Sequence, residues 1–343
     1  MQSDVAEDNG ERVTLADLAE EAGVSLSTIS KVLNGRTDVA GATRERVEEL
    51  LRERGYMRRG GRAQPKAELI ELVFHELDSI WSMELINGVE AVAKEHGLSV
   101  VLTVSGSRHS PDPDWIEGVM RRRPVGVVLV FSDLAPEYRE RLRARAIPFV
   151  IVDPAGDPSP DAPSVGSANW SGGLIATRHL IELGHTRIAA ITGPEDMMCS
   201  LARLDGFRSA MNSAGLPIDP EWIQFGDFHA AGGRDRASTI LAGPERPTAI
   251  FAGSDLQALG VLDAARANGL RVPEDLSIVG YDDIPLARWV TPPLTTVHQP
   301  LRRMGEEAAR LVIRLSEETP ESTPRMDLAT SLVVRDSTAP PAA

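Results

Sequence analysis

The stretch TLADLAEEAGVSLSTISKVLNG, residues 14–35, predicts two short helices joined by a tight turn. Thr14 stands three positions before Asp17, which is the spacing of a capping box at the start of a helix. Apolar side chains follow at helical spacing on one face: Leu15, Leu18, Ala19 and Ala22. Gly23 ends this helix, and Ser25 is placed to cap the next one. The pattern indicates a helix-turn-helix.

The second helix has two unlike faces. Its apolar face consists of Ile29, Val32 and Leu33, and its open face of Leu26, Ser27, Ser30 and Lys31. A third helix over residues 43–54 offers three side chains to close a common core: Val47, Leu50 and Leu51. Spacing alone leaves two interpretations open, a generic small helical bundle and a DNA-binding headpiece.

Composition narrows the class of protein. The 343 residues are too many for one ordinary domain, and the mixture of 42% apolar and 25% charged residues is typical of a soluble globular chain. No apolar stretch approaches the roughly 18 residues that a membrane span needs. Cys199 is the single cysteine, which excludes an intramolecular disulfide framework and a multi-cysteine zinc site. The polar tail of residues 1–12 lacks the apolar core of a signal peptide, so we expect a cytoplasmic protein.

The charge is unevenly distributed. A net charge of −14 opposes binding to nucleic acid, because contacts to phosphate need Lys and Arg. Residues 44–62, however, carry seven arginines: Arg44, Arg46, Arg52, Arg54, Arg58, Arg59 and Arg62. A small DNA reader on an acidic body would have this distribution, and so would a charge-rich surface helix.

The residues themselves favour the DNA reader. Residues 14–35, followed by TRERVEELLRERGY at residues 43–56, closely resemble the DNA-binding headpiece of the lactose-repressor (LacI/GalR) family. The resemblance implies an all-α helix-turn-helix domain over residues 13–57 and a homodimer that binds near-palindromic operator DNA. It further implies a transcription repressor that needs no cofactor and no metal.

The resemblance also assigns roles by position. Leu26 and Ser27 begin the recognition helix and Lys31 lies one turn further on, where the family reads base edges in the major groove. A leucine and a serine discriminate bases weakly, so we expect Lys31 to carry much of the direct readout. Contacts to phosphate are expected from the remaining polar groups of the headpiece: Thr14, Ser25, Thr28, Ser30, Asn34, Thr43 and Tyr56.

The linker over residues 58–67 departs from the family pattern. Relatives form a short hinge helix on operator DNA, with a leucine that enters the minor groove. Here Gly60 and Gly61 disfavour a helix, and Pro65 stands in the place of that leucine. Two interpretations stay open for the arginines of this linker, Arg58, Arg59 and Arg62. They either enter the minor groove as an arm or belong to a flexible linker with loose phosphate contacts.

From residue 68 onward, short apolar runs alternate with amphipathic helices. This pattern predicts βαβ repeats with buried parallel sheets and two doubly wound lobes, as in type I periplasmic sugar-binding proteins, which the body resembles. Strands are predicted at residues 69–74, 98–104, 125–131, 147–153, 187–192, 222–226, 248–253 and 276–283. We expect lobe one over about 68–165 and 299–322, lobe two over about 166–296 and 325–336, and a tail at 339–343.

Several motifs of the body resemble the effector-binding core of the same family, including RLDGFRSAM at residues 203–211 and GYDD at residues 280–283. The resemblance makes Arg203 and Asp282 the residues that hold effector hydroxyls, and a forked donor with an acceptor suits a polyol. Phe228 and Trp81 stand where relatives carry aromatics, which suit the face of a sugar ring. Other candidates at strand ends are His75, Asp78, Asp153, Asn169 and Ser254, each of which is equally well explained as an ordinary loop residue or helix cap. Ser254 departs from the family's usual Asn, and Asp255 is an alternative cap for the helix that follows.

Two other classes of protein compete with a regulator. An enzyme has little support, because the common nucleophile, zinc and nucleotide motifs are absent from the sequence. His179 and His185 invite a metal interpretation, but we expect one to be a surface residue and the other a partner of a helix C-terminus. A secreted sugar-binding protein would explain the body and not the headpiece. The preferred interpretation is a regulator whose operator affinity is controlled allosterically by a sugar or oligosaccharide.

Overall fold

A computed structural model describes residues 14–33, 39–54, 66–77, 80–106, 112–130, 134–153, 162–318 and 322–342. Contacts divide the chain into two units, one that holds the N-terminal helices together with Arg139–Ala146 and one that begins at Ala67 and holds the rest of the α/β body. No helix among these described residues is long and apolar enough to cross a membrane.

The described part of the N-terminal unit contains the three predicted helices, α1 (Leu15–Glu21), α2 (Leu26–Leu33) and α3 (Gly41–Glu53). The capping box is confirmed, because the Asp17 amide donates to Thr14 Oγ1 and the Thr14 amide donates to Asp17 Oδ2. Gly23 ends α1 with a φ of +63°, a conformation that glycine adopts without strain. The helices pack around one small core: Leu18, Ala19, Ala22, Ile29, Val32 and Val47.

The body contains two lobes, each built on a sheet of six described strands. The first sheet has the order β11-β5-β4-β3-β1-β2 and is parallel throughout. The second has the order β12-β10-β9-β8-β6-β7, in which only β12 runs antiparallel. The strands are β1 (Ala67–Phe74), β2 (Ser99–Val104), β3 (Pro124–Val130), β4 (Phe149–Val152), β5 (Ser164–Ser167), β6 (Ile188–Thr192), β7 (Ile223–Phe225), β8 (Ala249–Ala252), β9 (Ser277–Asp282), β10 (Thr295–His298), β11 (Arg325–Leu328) and β12 (Ser331–Val333).

Helices connect the parallel strands and cover the sheets. They are α4 (Ile80–Glu95), α5 (Asp114–Arg122), α6 (Pro136–Ala144), α7 (Asn169–Glu182), α8 (Met198–Ser213), α9 (Ala230–Leu241), α10 (Asp255–Ala267) and α11 (Leu301–Glu317). The α11 helix is long and amphipathic, and its buried face, which includes Met304, Ala308 and Val312, packs with α4 into the core of the first lobe. Two doubly wound lobes are therefore confirmed.

Three segments of the described chain cross between the lobes: residues 168, 299–300 and 329–330. The third crossing corrects the sequence prediction, which placed all of residues 325–336 in lobe two. In the structure, β11 pairs with β5 of the first sheet, and only β12 pairs with β10 of the second. Residues 325–336 have the same alternating periodicity in both halves. The sequence pattern therefore does not reveal that the chain passes from the first sheet to the second between β11 and β12.

The C-terminal segment also differs from prediction, because Ala339 is not part of a loose tail. The Ala339 carbonyl accepts from His185 Nε2 at 2.9 Å and from the Ser277 hydroxyl at 3.0 Å. His179 is half-buried and bonds Thr338, whereas His185 is 1% exposed, so neither histidine is the predicted surface residue. Burial lowers the pKa of both imidazoles. The described residues contain no cluster of potential metal ligands.

Candidate functional site

The exposed face of α2 is the candidate DNA interface. Leu26, Ser27, Ser30 and Lys31 are all solvent-exposed, while Ile29 and Val32 on the opposite face are buried. Leu26 leaves 53% of its surface open in a helix whose other described large apolar residues are inside. An apolar side chain left exposed beside a hydroxyl and a cation suits a groove that offers thymine methyl groups and acceptor atoms.

Ser25 organises the start of this helix. Its Oγ accepts from the Thr28 amide at 3.2 Å, as predicted for the cap, and lies 2.7 Å from Ser27 Oγ and 2.9 Å from Thr28 Oγ1. These three hydroxyls therefore form one small polar cluster at the N-terminus of α2, where phosphate oxygens are favourably bound.

The other predicted DNA contacts are only partly covered by the structure. Thr14 lies at the start of α1 and Thr43 within the first turn of α3, as expected for groups near phosphates. The remaining predicted residues lie outside the described part of the chain: Asn34, Tyr56, Arg58, Arg59 and Arg62. The same holds for Gly60, Gly61 and Pro65, so both interpretations of the linker stay predictions.

The candidate effector site is a cavity of about 670 Å³ between the two lobes. Its walls come from the carboxyl ends of parallel strands in both sheets, the usual location of ligands in doubly wound folds. Lobe one contributes residues that follow β1, β2 and β4, and lobe two contributes residues that follow β6 to β9. Seven predicted site residues line it: His75, Trp81, Asp153, Arg203, Phe228, Ser254 and Asp282. Asn169 lies behind it, and Asp78 is outside the described residues.

Arg203 is the centre of the polar floor. It projects from α8 and is 3% exposed. Its guanidinium donates to Asn169 Oδ1 at 2.8 Å and to the Gly253 carbonyl at 2.5 Å. The guanidinium carbon lies 3.7 Å from the centre of the Tyr281 ring, a cation–π arrangement. A buried permanent cation requires such partners. These partners also hold the Arg203 guanidinium in one orientation.

Asp282 stands beside this guanidinium at the end of β9. It adopts a φ of +110°, an unusual conformation for a residue with a side chain, and it is 6% exposed. Its buried Oδ1 has no hydrogen-bond partner among the described residues and lies 3.8 Å from Arg203 Nη1. Burial raises the pKa of Asp282 to about 7. An acceptor without a hydrogen bond, on a residue that lines the cavity, is suited to a hydroxyl donated by a ligand.

Asp153, from lobe one, is joined to the polar floor through Asn169, which begins α7 of lobe two. Asn169 Nδ2 donates to Asp153 Oδ1 at 3.2 Å, so Asn169 links Asp153 to Arg203 through its two amide atoms. Burial raises the pKa of the Asp153 carboxyl. Cys199 lines the same wall, and burial raises the pKa of its thiol to about 12, which makes it an unreactive wall residue.

Aromatic side chains cover the opposite part of the cavity. Phe228 has a φ of +67° and its ring lies against Gly193, where a Cβ would come within 2.0 Å of the ring. Glycine at this position therefore leaves room for the tip of the Phe228 ring. Phe228 and Trp81 come from different lobes, so a ligand between them would contact an aromatic on each side.

Ser254 serves the protein's own structure. It caps α10, because its Oγ accepts from the Gln257 amide at 3.0 Å, and its hydroxyl donates to the Phe228 carbonyl at 2.9 Å. The alternative of Asp255 as the cap is wrong. Asp255 is fully buried, where its carboxylate accepts from the Ile284 amide at 2.8 Å and from Thr296 Oγ1 at 2.5 Å.

Several residues of the cavity or its polar floor were not predicted from the sequence, among them Glu76, His229 and Gln299. Gln299 stands in the motif PPLTTVHQP but received no role, although it is 1% exposed and lies 3.4 Å from Arg203 Nη2. Glu76 and His229 face each other across the cavity at 3.7 Å, one from each lobe. The place of Gln299 in PPLTTVHQP, directly after the residues that form β10, was the sequence signal that could have identified it.

Comparisons with known proteins agree with this arrangement. Residues 14–59 match the model of the bacterial regulatory proteins, lacI family, and residues 177–338 match the periplasmic binding protein-like domain. The chain is 34% identical over 328 residues to the HTH-type transcriptional repressor PurR of Vibrio vulnificus strain CMCP6, which covers 94% of this chain and 98% of PurR.

Two solved structures are similar over almost the whole length. The complex of the transcriptional regulator CelR with cellobiose has a TM-score of 0.71 at 35% identity and covers 95% of this chain and 100% of CelR. The Lac repressor dimer bound to operator and the anti-inducer ONPF has a TM-score of 0.70 at 28% identity, with coverage of 96% and 100%. Headpiece, body and order of elements agree in full-length relatives, and the chain therefore belongs to the lacI family of bacterial regulatory proteins, as a DNA-binding transcription regulator.

Proposed function

We propose that this regulator is a repressor whose operator affinity is controlled by a sugar or short oligosaccharide bound between the two lobes. The observation that carries the proposal is the cavity itself. A buried guanidinium and a buried carboxyl oxygen that accepts no hydrogen bond from the described residues lie on its floor, and Phe228 and Trp81 line its walls. Alternating hydroxyl groups and apolar ring faces are the chemistry that such a site complements.

The cavity is large enough for a single sugar ring or a short oligosaccharide. A volume of about 670 Å³ lies in the middle of the range for small-molecule sites, roughly 300–1,000 Å³. Cellobiose occupies the related CelR, a disaccharide that serves here as the first compound to test. Arg203 and Asp282 would take hydroxyl groups of one sugar ring, with Phe228 and Trp81 against the ring faces.

The DNA side of the proposal rests on the exposed face of α2. Lys31 offers a cation to base acceptors, and Leu26 offers an apolar contact to a thymine methyl group. The hydroxyls of Ser25 and Thr28 and the starts of α1 and α3 would position the unit on phosphates. We propose a homodimer, as in the Lac repressor complex, so that two recognition helices read a near-palindromic operator in the cytoplasm.

An enzyme that acts on the same sugar is the second candidate, since the fold hosts many chemistries. The polar floor argues against it. Arg203 is held by protein acceptors, and the two buried carboxyl groups of the floor also face protein groups, Asp153 the Asn169 side-chain amide and Asp282 the Arg203 guanidinium. We therefore propose binding without turnover.

Two measurements test the proposal together. Operator sequences are selected from random DNA by the full chain, and melting of the protein is recorded with cellobiose and a panel of monosaccharides and oligosaccharides. A sugar at 100 times its Kd stabilises the protein by about 2.7 kcal/mol, a shift that Arg203→Met should abolish. Failure to enrich a symmetric sequence, or hydrolysis of the sugar that raises the melting temperature, would refute the proposal.

A further inference from the structure

Four residues, three of them buried and Asn169 partly buried, form a closed ring of hydrogen bonds at the junction of the two lobes. Arg203 Nε donates to Asn169 Oδ1 at 2.8 Å, and Asn169 Nδ2 donates to the Ser167 carbonyl at 3.3 Å. Ser167 Oγ accepts from Gln299 Nε2 at 2.9 Å, and Gln299 Oε1 accepts from Arg203 Nη2 at 3.4 Å. We call Ser167, Asn169, Arg203 and Gln299 the crossover ring.

The ring joins two of the three crossing segments. Ser167 ends β5 of lobe one, and Asn169 begins α7 of lobe two one residue beyond the first crossing. Gln299 lies in the second crossing, between β10 and α11. Its backbone N–H also donates to the Asp282 backbone carbonyl at 3.3 Å. The third crossing is attached to the first, because the Ala168 amide donates to the Leu328 carbonyl at 2.9 Å and Thr330 Oγ1 donates to the Ala168 carbonyl at 3.3 Å.

One member of the ring faces the cavity, and another does not. Arg203 lines the cavity, whereas Gln299 lies behind it and is 1% exposed. Any change in the position of the Arg203 guanidinium when a ligand binds therefore acts on the hydrogen bonds of both crossings. Gln299 can make both of its ring bonds only in one amide orientation, with its nitrogen toward Ser167 and its oxygen toward Arg203.

We propose that Gln299 is a positioning residue that couples the effector site to the crossing segments. Its side chain links Ser167 to Arg203 by hydrogen bonds. A ligand that moves Arg203 would therefore change the hydrogen bonds between the segments that connect the two lobes. Allosteric coupling needs an element that differs in its contacts between two states, and the ring provides a polar element whose bonds involve both the cavity and the hinge. Its loss should leave sugar affinity nearly unchanged while it weakens the coupling.

The direct test is Gln299→Met, which keeps the length and volume of the side chain and removes both ring bonds. Gln257→Met is the matched control, because Gln257 is also fully buried, but its Nε2 donates to the Thr192 carbonyl within lobe two. Ser167→Ala breaks the same Gln299 bond from the other side and is a smaller change, which keeps the test valid if the first variant folds poorly.

The first measurement uses the full chain without any sugar. Hydrogen exchange is followed at the crossing segments, above all at the Ala168 amide. Exchange should be accelerated about fivefold to tenfold in Gln299→Met and Ser167→Ala, because one or two hydrogen bonds that restrict local opening are lost. Gln257→Met should exchange like the wild type at these segments. Unchanged exchange in both ring variants, or equal acceleration in the control, would overturn the inference.

The second measurement depends on the proposed function and uses cellobiose. Its Kd is measured by calorimetry, and the change in operator affinity caused by cellobiose is measured by anisotropy. For Gln299→Met, the Kd for cellobiose should stay within about threefold of the wild type, while the cellobiose-induced change in operator affinity should fall from about fivefold or more to less than about twofold. A retained response would overturn the inference. If cellobiose alters operator binding in no variant, including the wild type, the proposed function fails for this sugar, and the exchange rates alone decide the inference.

Discussion

The guanidinium of Arg203 and the carboxylate of Asp282 lie 3.8 Å apart on the floor of the cleft, and both are almost fully buried. Asp282 Oδ1 has no hydrogen-bond partner among the described residues. Burial of such a group without a partner costs free energy, which a ligand hydroxyl can recover on binding. The same pair of side chains therefore favours a ligand with hydroxyl groups and lowers the stability of the protein without a ligand.

The first prediction concerns the pH dependence of stability. The pKa of Asp282 is raised to about 7 by burial, above the value of 3.8 expected for an exposed Asp. Between these values the folded state keeps a proton that the unfolded state releases, so the free energy of unfolding falls as pH rises from about 4 to about 7. Above pH 7 this contribution is constant.

Asp282→Asn removes this dependence. Urea unfolding between pH 4 and 8 should show a slope that is less negative than in the wild type, by at most about 1.4 kcal/mol per pH unit. Asp205→Asn, on an exposed carboxylate of the same lobe, is the control and should leave the slope unchanged. A wild-type slope in Asp282→Asn would mean that Asp282 titrates like an exposed Asp.

The second prediction concerns the aromatic wall. Phe228→Ala should weaken binding of cellobiose, or of the sugar that gives the largest melting shift, because a ring face and its apolar contact are lost. We expect a loss of about 1–3 kcal/mol, which is about 5-fold to 150-fold in Kd. Trp289→Ala removes a larger aromatic that is 83% exposed and does not line the cavity. Equal effects of the two substitutions, measured by calorimetry, would contradict a specific role for Phe228.

The third prediction concerns base readout. Lys31→Ala should weaken the complex with the selected operator by about 1–3 kcal/mol and reduce the preference over random DNA. Lys94→Ala removes an equally exposed lysine from α4 in the body and should have no effect. If Lys31→Ala keeps its preference in a competitive gel-shift titration, Lys31 does not read base edges.

The fourth prediction concerns the linker arginines. Substitution of Arg58, Arg59 and Arg62 by Ala should make operator affinity less dependent on salt, by up to about 0.9 units of slope for each lost phosphate contact. The control replaces three exposed arginines of the body, Arg266, Arg271 and Arg302. An unchanged slope in the linker variant would exclude both the minor-groove arm and the loose phosphate contacts.

Much of the fold follows from the sequence because its signals are local. The capping box at Thr14, the turn at Gly23 and the apolar runs of the strands act over a few residues, and the structure confirms each of them. The strand β5 (Ser164–Ser167) was missed, because four residues with Gly and Ser have little strand propensity and their pairing with β4 and β11 stabilises them.

The candidate site could be predicted only in part. Position in a family motif pointed to Arg203 and Asp282, but it could not show that Asp282 Oδ1 lacks a partner or that Ser254 is occupied as a cap. Gln299 is distant in sequence from Ser167 and Arg203, so only the fold brings these three side chains together. Such long-range polar contacts leave no periodic signal in a single sequence.

The most direct test of the whole account is the fluorescence anisotropy of a labelled, selected operator with the full chain, titrated with cellobiose and the sugar panel. We predict tight binding to the operator and a change in its Kd of about fivefold or more with one sugar of the panel, lost in Arg203→Met, which should still bind the operator. Operator binding that no sugar alters, or an equal response in Arg203→Met, would contradict the claim that this cleft controls the DNA reader.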